Sequence, residues 1–122
     1  MNKYEAKLLS NWEDVFQQGL LTFWVFVTLK GNELDVQAIK EGVERLTKGT
    51  YISSEQALYR VLRKHYDLEL VDFRSIAGKK KKKKKLYRLS VLGEQLLSEF
   101  ASKNISLFEQ QEVQQLIKGV SR

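Results

Sequence analysis

Residues 68–90, with the sequence LELVDFRSIAGKKKKKKKLYRLS, decide the predicted fold. Val71 and Phe73 alternate with charged side chains, and the letters LYRL after the seven lysines repeat that alternation. A period of two is typical of half-buried strands. The two segments therefore predict a β-hairpin. Its loop, residues 77–85, is long for a hairpin and is a candidate functional loop.

The lysine run carries the whole basic excess of the chain. The protein has 122 residues with 21 basic and 15 acidic side chains, which gives a net charge of +6. Subtracting the seven lysines leaves 14 basic against 15 acidic residues, or −1. Such a local patch favours docking to a polyanion. The alternatives are a solvated loop without function, a product of a repetitive coding tract, or a localisation or membrane-surface signal.

A long apolar helix is predicted near the N-terminus. Apolar residues recur at helical spacing over residues 12–29, and Asn11 can cap the helix. Nearly every face of this helix is apolar and has to be covered, so part of the cover is expected from a second subunit. Trp12 and Trp24 are expected to be core residues.

Two further helices precede the hairpin. Residues 35–48 carry one apolar stripe, and Gly49 suits the position just past the end of that helix. Residues 53–66 form the next helix, in which Ser53 and Gln56 have the spacing of a capping box and Glu55 faces the helix dipole. We expect His65 to be a surface or half-buried residue rather than a pH switch.

Two helices follow the hairpin. Ser90 can cap the first of them, which ends near Phe100. Ser106 and Glu109 have capping-box spacing and are predicted to open a C-terminal helix with one apolar stripe. An isolated helix of this length is marginal in water, so it has to pack, and a partner protomer is a candidate.

The order of these elements predicts a mainly α (α+β) protein with a winged helix-turn-helix, a two-stranded wing and an extra C-terminal dimerisation helix. Residues 1–104 would form the DNA-binding domain and residues 105–122 the dimerisation helix. The N-terminal end of the recognition helix enters the major groove in this motif. The expected DNA contacts on the recognition helix are Ser53, Ser54, Gln56, Tyr59, Arg60, Arg63 and Lys64. The expected contacts on the wing are Lys79, Lys80, Lys81, Lys82, Lys83, Lys84 and Lys85.

These residue types divide base recognition from phosphate binding. Glutamine can pair with adenine and arginine with guanine, whereas lysine is a point charge that adds affinity and register. If about three lysines per wing each neutralise a phosphate, log K of a dimer falls with log salt at a slope near −5, since each contact contributes about −0.9. An ordinary amphipathic helix with a wet basic face is the alternative for residues 53–66.

Three motifs resemble those of the PadR-like transcriptional regulators. GLLT at residues 19–22, LYRVL at 58–62 and YRLSVLG at 87–93 match the family's GLLT, LYxxL and YRLTxxG in order and spacing. The resemblance covers about residues 19–100. The family's HGY is missing, SEQALY stands for SPGTLY, and lysines replace the usual Gly-Pro-Arg-Lys type of wing. These departures concern the operator and the effector rather than the fold.

The resemblance implies a homodimer that binds double-stranded DNA and acts as a transcriptional repressor. The dimer would form through the first and last helices. The expected interface residues are Trp12, Phe16, Phe108, Val113, Leu116, Ile117 and Val120. Some members bind flat hydrophobic ligands between aromatic side chains of the dimer interface, so a small hydrophobic effector is a further candidate partner.

No pattern in the sequence indicates an enzyme, a cofactor or a metal site. The chain has no cysteine and one histidine, and it lacks a phosphate-binding glycine loop and a nucleophile motif. The longest apolar run, residues 19–29, is too short to cross a bilayer, and the N-terminus does not resemble a signal peptide. We therefore expect a cytoplasmic protein without membrane contact. The alternative functions are a protein–protein adaptor or a non-specific nucleic-acid binder on the same scaffold.

Overall fold

The helices and the hairpin occur in the predicted order in the computed structural model. The structure describes residues 1–120, apart from the side chains of Lys81 and Val120. Over this part of the chain the α-helices are α1 (Lys3–Leu29), α2 (Val36–Leu46), α3 (Glu55–Asp67), α4 (Val91–Phe100) and α5 (Gln111–Val120). The strands are β1 (Val71–Ala77) and β2 (Lys83–Leu89), which pair antiparallel. The predicted mainly α winged-helix fold is confirmed, while the dimerising role of α5 stays a prediction.

Helix α1 begins at Lys3 rather than near residue 12. Asn2 and Glu5 form a capping box, in which the Asn2 side chain accepts the Glu5 N–H at 2.8 Å and the Asn2 N–H donates to Glu5 Oε1 at 2.9 Å. Asn11, the predicted cap, lies inside the helix. Although α1 has 27 residues, none of the helices in residues 1–120 combines the length and the apolar character that a membrane span requires.

The core lies where the C-terminal half of α1 meets α2, α3 and the hairpin. Its buried apolar residues are Val25, Phe26, Leu29, Val36, Ile39, Val43, Leu58, Leu62, Val71, Tyr87 and Leu89. Residues 3–16 of α1 are exposed along their whole length. Trp24 is half-buried against this core, but Trp12 is 74% exposed, so the prediction that Trp12 is a core residue is wrong for the single chain.

Helix α3 begins one residue later than predicted. Ser54 is its N-cap, and its Oγ accepts the Ala57 N–H at 3.1 Å. The predicted cap, Ser53, is only 5% exposed, and its Oγ has no hydrogen-bond partner among the described residues. The capping box of Ser53 and Gln56 is therefore wrong, because the chain turns into the helix after Ser53 rather than at it.

The two strands of the wing pair over more residues than the sequence pattern predicted. The ladder runs from Val71–Leu89 to Ala77–Lys83, so residues 78–82 alone connect the strands. This connection is closed by the Gly78 N–H, which donates to the Lys82 carbonyl at 2.6 Å, and Lys80 takes a positive φ of 57°. Three lysines of the run are consequently strand residues with fixed directions, which a nine-residue loop would not have given them.

The C-terminal segment departs from the predicted capping box, although Ser90 caps α4 as predicted by accepting the Gly93 N–H at 3.0 Å. Ser106–Glu109 form a 3₁₀ turn, and α5 begins after Gln110, whose ψ of 135° is extended. Ser106 therefore does not cap α5.

The expected dimer residues are mostly exposed in the single chain. Trp12, Phe16, Phe108, Leu116 and Ile117 are exposed and Val113 is half-buried, while the side chain of Val120 lies outside the described residues. The Phe16 and Phe108 rings pack edge to face at 6.5 Å, which ties the turn before α5 to α1. The homodimer stays a prediction.

Candidate nucleic-acid interface

The outer surface of α3 carries two adjacent rows of polar side chains, each with i, i+4 spacing. The row beside the hairpin consists of Glu55, Tyr59 and Arg63. The other row consists of Gln56, Arg60 and Lys64. All six side chains are exposed. The apolar side chains Leu58 and Leu62 point the opposite way into the core, so the helix is held from behind while both rows remain accessible.

A groove of about 450 Å³ joins α3 to the base of the lysine run. Its lining residues are Asp35, Val36, Gln37, Glu55, Tyr59, Lys83, Lys84, Lys85 and Tyr87. A second groove of about 360 Å³ continues along α3, where Tyr59, Arg63 and Tyr66 face Lys85. Because Tyr59 borders both grooves, α3 and the base of the wing share one face of the molecule.

The face of the hairpin that looks toward α3 is aromatic and basic. Phe73 is paired with Tyr87 across the hairpin, and its ring lies 4.9 Å from the ring of Tyr66 on α3. Lys85 Nζ lies 4.5 Å from the centroid of the Phe73 ring, a cation–π contact that holds this lysine against the groove. Since side chains alternate along a strand, Lys83 lies on the same face as Lys85.

The opposite face of the hairpin is held by ion pairs. Arg74 donates from Nε to Glu33 Oε2 and from Nη2 to Glu33 Oε1, both at 2.8 Å. Lys84 Nζ lies 2.6 Å from Asp35 Oδ2. The lysine run is therefore not uniform, because Lys84 pairs with a carboxylate and Lys85 lies on a ring.

These ion pairs change the pKa of both carboxyl groups. The hydrogen bond from Arg74 lowers the pKa of Glu33, although partial desolvation opposes it. Desolvation by itself would raise the pKa of Asp35, but the hydrogen bonds from Lys84 and from the Ala38 N–H outweigh it and lower the pKa. Both groups are thus charged at neutral pH and can hold their basic partners.

The structure leaves six of the seven predicted recognition-helix contacts on the surface. The exposed residues are Ser54, Gln56, Tyr59, Arg60, Arg63 and Lys64. The prediction that Ser53 contacts DNA is corrected by the structure. Its side chain is buried in the turn before α3 and does not reach a surface on which DNA could lie. In the wing Lys79, Lys80, Lys82, Lys83, Lys84 and Lys85 are exposed.

Several residues of this face were not among the predicted contacts. Gln37 lines the larger groove, and Glu55, expected only to face the helix dipole, lines it too. Asp35 stands at the start of a predicted helix, which is a signal for a cap but not for its ion pair with Lys84. Among the described residues, no cluster of three His, Asp or Glu side chains is placed to hold a metal ion.

Behind the interface lie two buried titratable residues. Burial raises the pKa of Tyr87, and the neighbouring Tyr59 adds to that effect, so Tyr87 is neutral at physiological pH. His65 is only 9% exposed rather than a surface residue. Its Nδ1 lies 2.7 Å from the Val61 carbonyl, and its ring packs edge to face on Phe26 at 5.1 Å.

A small apolar cavity lies between α1, α3 and α4. It has a volume of about 170 Å³, and Phe23, Phe26, Leu97 and Phe100 line it together with His65. Pockets for drug-sized ligands are usually about 300–1,000 Å³, so this cavity is small for such an effector. The effector expected from the family resemblance stays a prediction.

Solved structures similar to this chain include transcriptional regulators. A PadR family transcriptional regulator from Eggerthella lenta gives a TM-score of 0.76 at 19% identity and covers 95% of this chain and 97% of its own. A PadR-like transcriptional regulator from Bacillus cereus gives 0.62 at 16% identity, with 86% of this chain and 94% of its own covered. No protein-family model and no curated protein matches the sequence.

One similar structure was determined on DNA. Bacillus subtilis PadR in complex with operator DNA gives a TM-score of 0.61 at 23% identity over 66% of this chain and 46% of that protein. The chain thus spans about half the length of that relative. Together the helix-turn-helix and the paired wing define a winged-helix protein. More particularly, its fold is that of the PadR-like transcriptional regulators, and the resemblance read from the three motifs is confirmed at the level of the fold.

Proposed function

We propose that the chain is a DNA-binding transcriptional regulator that represses its target as a homodimer. The observation that carries this proposal is the groove shared by Tyr59 of α3 and Lys83, Lys84 and Lys85 of β2. A duplex whose major groove receives α3 would bring its flanking backbone to the wing on the same side. The Bacillus subtilis relative in complex with operator DNA supports this interpretation.

Helix α3 supplies the sequence recognition in this proposal. Gln56 and Arg60 stand in the exposed row away from the hairpin, and their side chains can pair with adenine and guanine edges. Ser54 at the helix N-terminus, Tyr59 beside the wing and Lys64 further along the helix contact phosphates. Arg63 does so as well, from the groove that it shares with Lys85. Phosphate contacts fix the register, and the two base-reading residues select the sequence.

The wing supplies most of the electrostatic affinity. Lys79, Lys80 and Lys82 lie in the connection between the strands, and Lys83 lies at its end on the face toward α3. These exposed ammonium groups carry no base-reading geometry and bind phosphate oxygens. With about three contacts per wing, log K of the dimer falls with log salt at a slope near −5.

The homodimer is proposed from the uncovered apolar surface of α1 and α5. Tyr4, Leu8, Trp12 and Val15 are exposed on the projecting half of α1, and Leu116 is exposed on α5. Patches of this kind on a soluble chain mark an interaction surface. A two-fold dimer predicts a pseudo-palindromic operator with half-sites about one helical turn apart. An effector would act by changing the spacing of the two α3 helices.

A mobility-shift series with competitor DNA tests the proposed function. A labelled fragment from the region upstream of the protein's own gene is mixed with increasing unlabelled random-sequence duplex. Specific binding persists at a large excess of competitor, because the base contacts add to the phosphate contacts. Complete loss of the shifted band at modest excess would contradict specific binding to this fragment. The absence of a shift at low salt would contradict DNA binding and favour the protein–protein adaptor.

A further inference from the structure

The short segment between α1 and α2 is joined to the wing through its backbone. The Leu34 N–H donates to the Tyr87 carbonyl at 2.9 Å, and the Tyr87 N–H donates to the Leu34 carbonyl at 2.7 Å. This isolated antiparallel bridge makes Leu34 a third, one-residue strand beside β2. The side chains on either side of Leu34 are the carboxylates Glu33 and Asp35.

Both carboxylates hold a basic side chain of the hairpin. Glu33 binds Arg74 of β1 through two bonds of 2.8 Å, and Asp35 binds Lys84 of β2 at 2.6 Å. Arg74 and Lys84 lie on the same face of the hairpin, since Leu86 is paired with Arg74 and stands two residues from Lys84. We call Glu33, Asp35, Arg74 and Lys84 the clasp.

Asp35 links the wing to the helix-turn-helix directly. Its Oδ1 accepts the Ala38 N–H at 2.8 Å and caps α2, while its Oδ2 contacts Lys84. A movement of β2 relative to α2 would therefore break either the cap or the ion pair. Arg74 and Glu33 make a bidentate pair, whose two parallel hydrogen bonds also fix the orientation of β1 relative to the segment before α2.

Lys83 and Lys84 are neighbours in the run with opposite directions. Lys84 and its partner Asp35 both border the groove beside α3, and the ammonium group of Lys84 is engaged by this carboxylate. Lys83 lies on the same face of the hairpin as Lys85, and none of the ion pairs among the described residues involves it. Two identical adjacent side chains thus differ in their surroundings, because Lys84 is engaged by a carboxylate and Lys83 is not.

We propose that the clasp sets the direction of the wing relative to α3, and that Lys84 is a positioning residue rather than a phosphate contact. This inference rests on the proposed DNA-binding function. The lysines assigned to phosphates, Lys79, Lys80, Lys82 and Lys83, reach the duplex only if the hairpin is held over the same groove as α3. Lys84 contributes to affinity by holding it there.

The Asp35→Asn variant tests whether the ion pair with Lys84 raises or lowers DNA affinity. Asparagine caps a helix as well as aspartate does, so α2 keeps its cap while Lys84 loses its charged partner. If Lys84 were a potential phosphate contact, removing this negative charge would raise DNA affinity and steepen the salt slope. The clasp predicts the opposite: affinity falls about two- to fivefold, the range expected for an exposed ion pair, and the slope is unchanged.

Lys83 supplies the matched control. Lys84→Gln should reproduce the affinity loss of Asp35→Asn with the salt slope unchanged. Lys84→Arg should bind DNA as the wild type does, because it keeps the ion pair with Asp35. Lys83→Gln should instead flatten the slope, by about 0.9 per subunit, since a phosphate contact is lost. Equal slopes for Lys83→Gln and Lys84→Gln, or tighter binding by Asp35→Asn, would overturn the positioning role of Lys84.

Hydrogen exchange separates this inference from the proposed function, because it needs no DNA. The amides of Leu34 and Tyr87 should exchange about two- to fivefold faster in Asp35→Asn and Lys84→Gln, and at the wild-type rate in Lys83→Gln. If the wild-type protein does not bind DNA, this result still supports the clasp while the proposed function fails. Unchanged exchange in the two clasp variants would refute the clasp whatever the protein binds.

Discussion

Gln56 and Arg60 stand on the exposed row of α3 that is free of the hairpin, and Lys64 follows them on the same row. Because only the first two can make bidentate base contacts, they should differ from Lys64 in what their removal changes. Gln56→Ala should cost about 1–3 kcal/mol on the preferred sequence and relax the preference at one base position. The measurement is binding to a panel of operators with single-base changes.

Lys64→Gln is the control for this panel. It should weaken binding to every member of the panel by a similar factor and reduce the salt slope, because it removes a phosphate contact. An unchanged base preference in both Gln56→Ala and Arg60→Ala would show that α3 does not read sequence through this row.

Acid should loosen the clasp through Glu33 and Asp35. Both pKa values are lowered in the folded protein from their ordinary values of 4.5 and 3.8. Groups of this kind stabilise the fold above their unfolded pKa, and the stabilisation is lost as pH falls toward the folded pKa. The double variant Glu33→Gln, Asp35→Asn should therefore lose less stability than the wild type between about pH 5 and pH 3.

Urea unfolding at a series of pH values measures this difference. The remaining carboxyl groups are common to both proteins, so the comparison isolates the two clasp residues. Parallel stability curves for the two proteins would contradict the assignment of the ion pairs.

Single residues also show what the sequence could not reveal. Ser53 and Ser54 are equally good caps by type, and the path of the chain from Thr47 into α3 decides which one faces the core. Lys84 is indistinguishable from its neighbours by sequence, and its partner Asp35 is far away in the chain. The polar character of the α3 surface was predictable from its periodicity, but the partners of individual side chains required the strand register.

At the scale of elements, the tip of the wing and its base should be separable. Replacing Lys79, Lys80, Lys82 and Lys83 by serine and glutamine leaves the clasp and the contact between Lys85 and Phe73 in place. Affinity should fall and the salt slope should flatten, while the preferred operator sequence is retained, because the tip contributes phosphate contacts alone. Binding titrations over a range of salt concentrations measure both quantities.

Neutralising four exposed lysines outside the wing, Lys3, Lys7, Lys103 and Lys118, controls for the loss of four positive charges. This variant should keep a slope close to that of the wild type. If the tip variant lost its sequence preference while its slope stayed the same, the roles assigned to wing and helix would be reversed.

The junction of the wing with α4 depends on Gly93. A Cβ at this position would lie 2.1 Å from the Leu70 carbonyl oxygen, a backbone atom that cannot move aside cheaply. Gly93→Ala should therefore lower the free energy of unfolding by about 1–3 kcal/mol, as overpacking does elsewhere. Gly19→Ala is the matched control. Position 19 lies in α1 with nothing within 4 Å of an added Cβ, so this change should stabilise the helix by about 0.5–1 kcal/mol.

Chemical denaturation of the wild type, Gly93→Ala and Gly19→Ala measures both changes in the free energy of unfolding. A Gly93→Ala protein as stable as the wild type would show that α4 does not pack against Leu70 as described.

Element types were more predictable than their ends. The segments with a period of two correctly predicted both strands, since one face of each strand had to be buried against α3. The start of α1 was missed because its first turns are exposed and lack a covered apolar face, and only the capping box of Asn2 and Glu5 marks it. The capping-box spacing of Ser106 and Glu109 wrongly predicted the start of α5, because Gln110 is extended and separates their turn from the helix.

At the scale of the whole molecule, the exposed apolar surfaces of α1 and α5 form the proposed dimer interface. Truncation before Ser106 removes the turn that contacts Phe16 and all of α5, so the truncated chain should be a monomer by analytical ultracentrifugation. Circular dichroism should show that the remaining helices persist, because the core residues all precede position 90. A truncated chain that stays dimeric would show that the last helix does not form the interface.

The proposed function depends on one face of the molecule that presents both α3 and the lysine wing to the same duplex. Selection of bound sequences from a random duplex library, by the full-length protein at physiological salt, tests that arrangement most directly. A two-fold dimer with both α3 helices in the major groove should enrich a pseudo-palindromic motif whose half-sites lie about one helical turn apart. A bound pool with the same composition as the input library would contradict it.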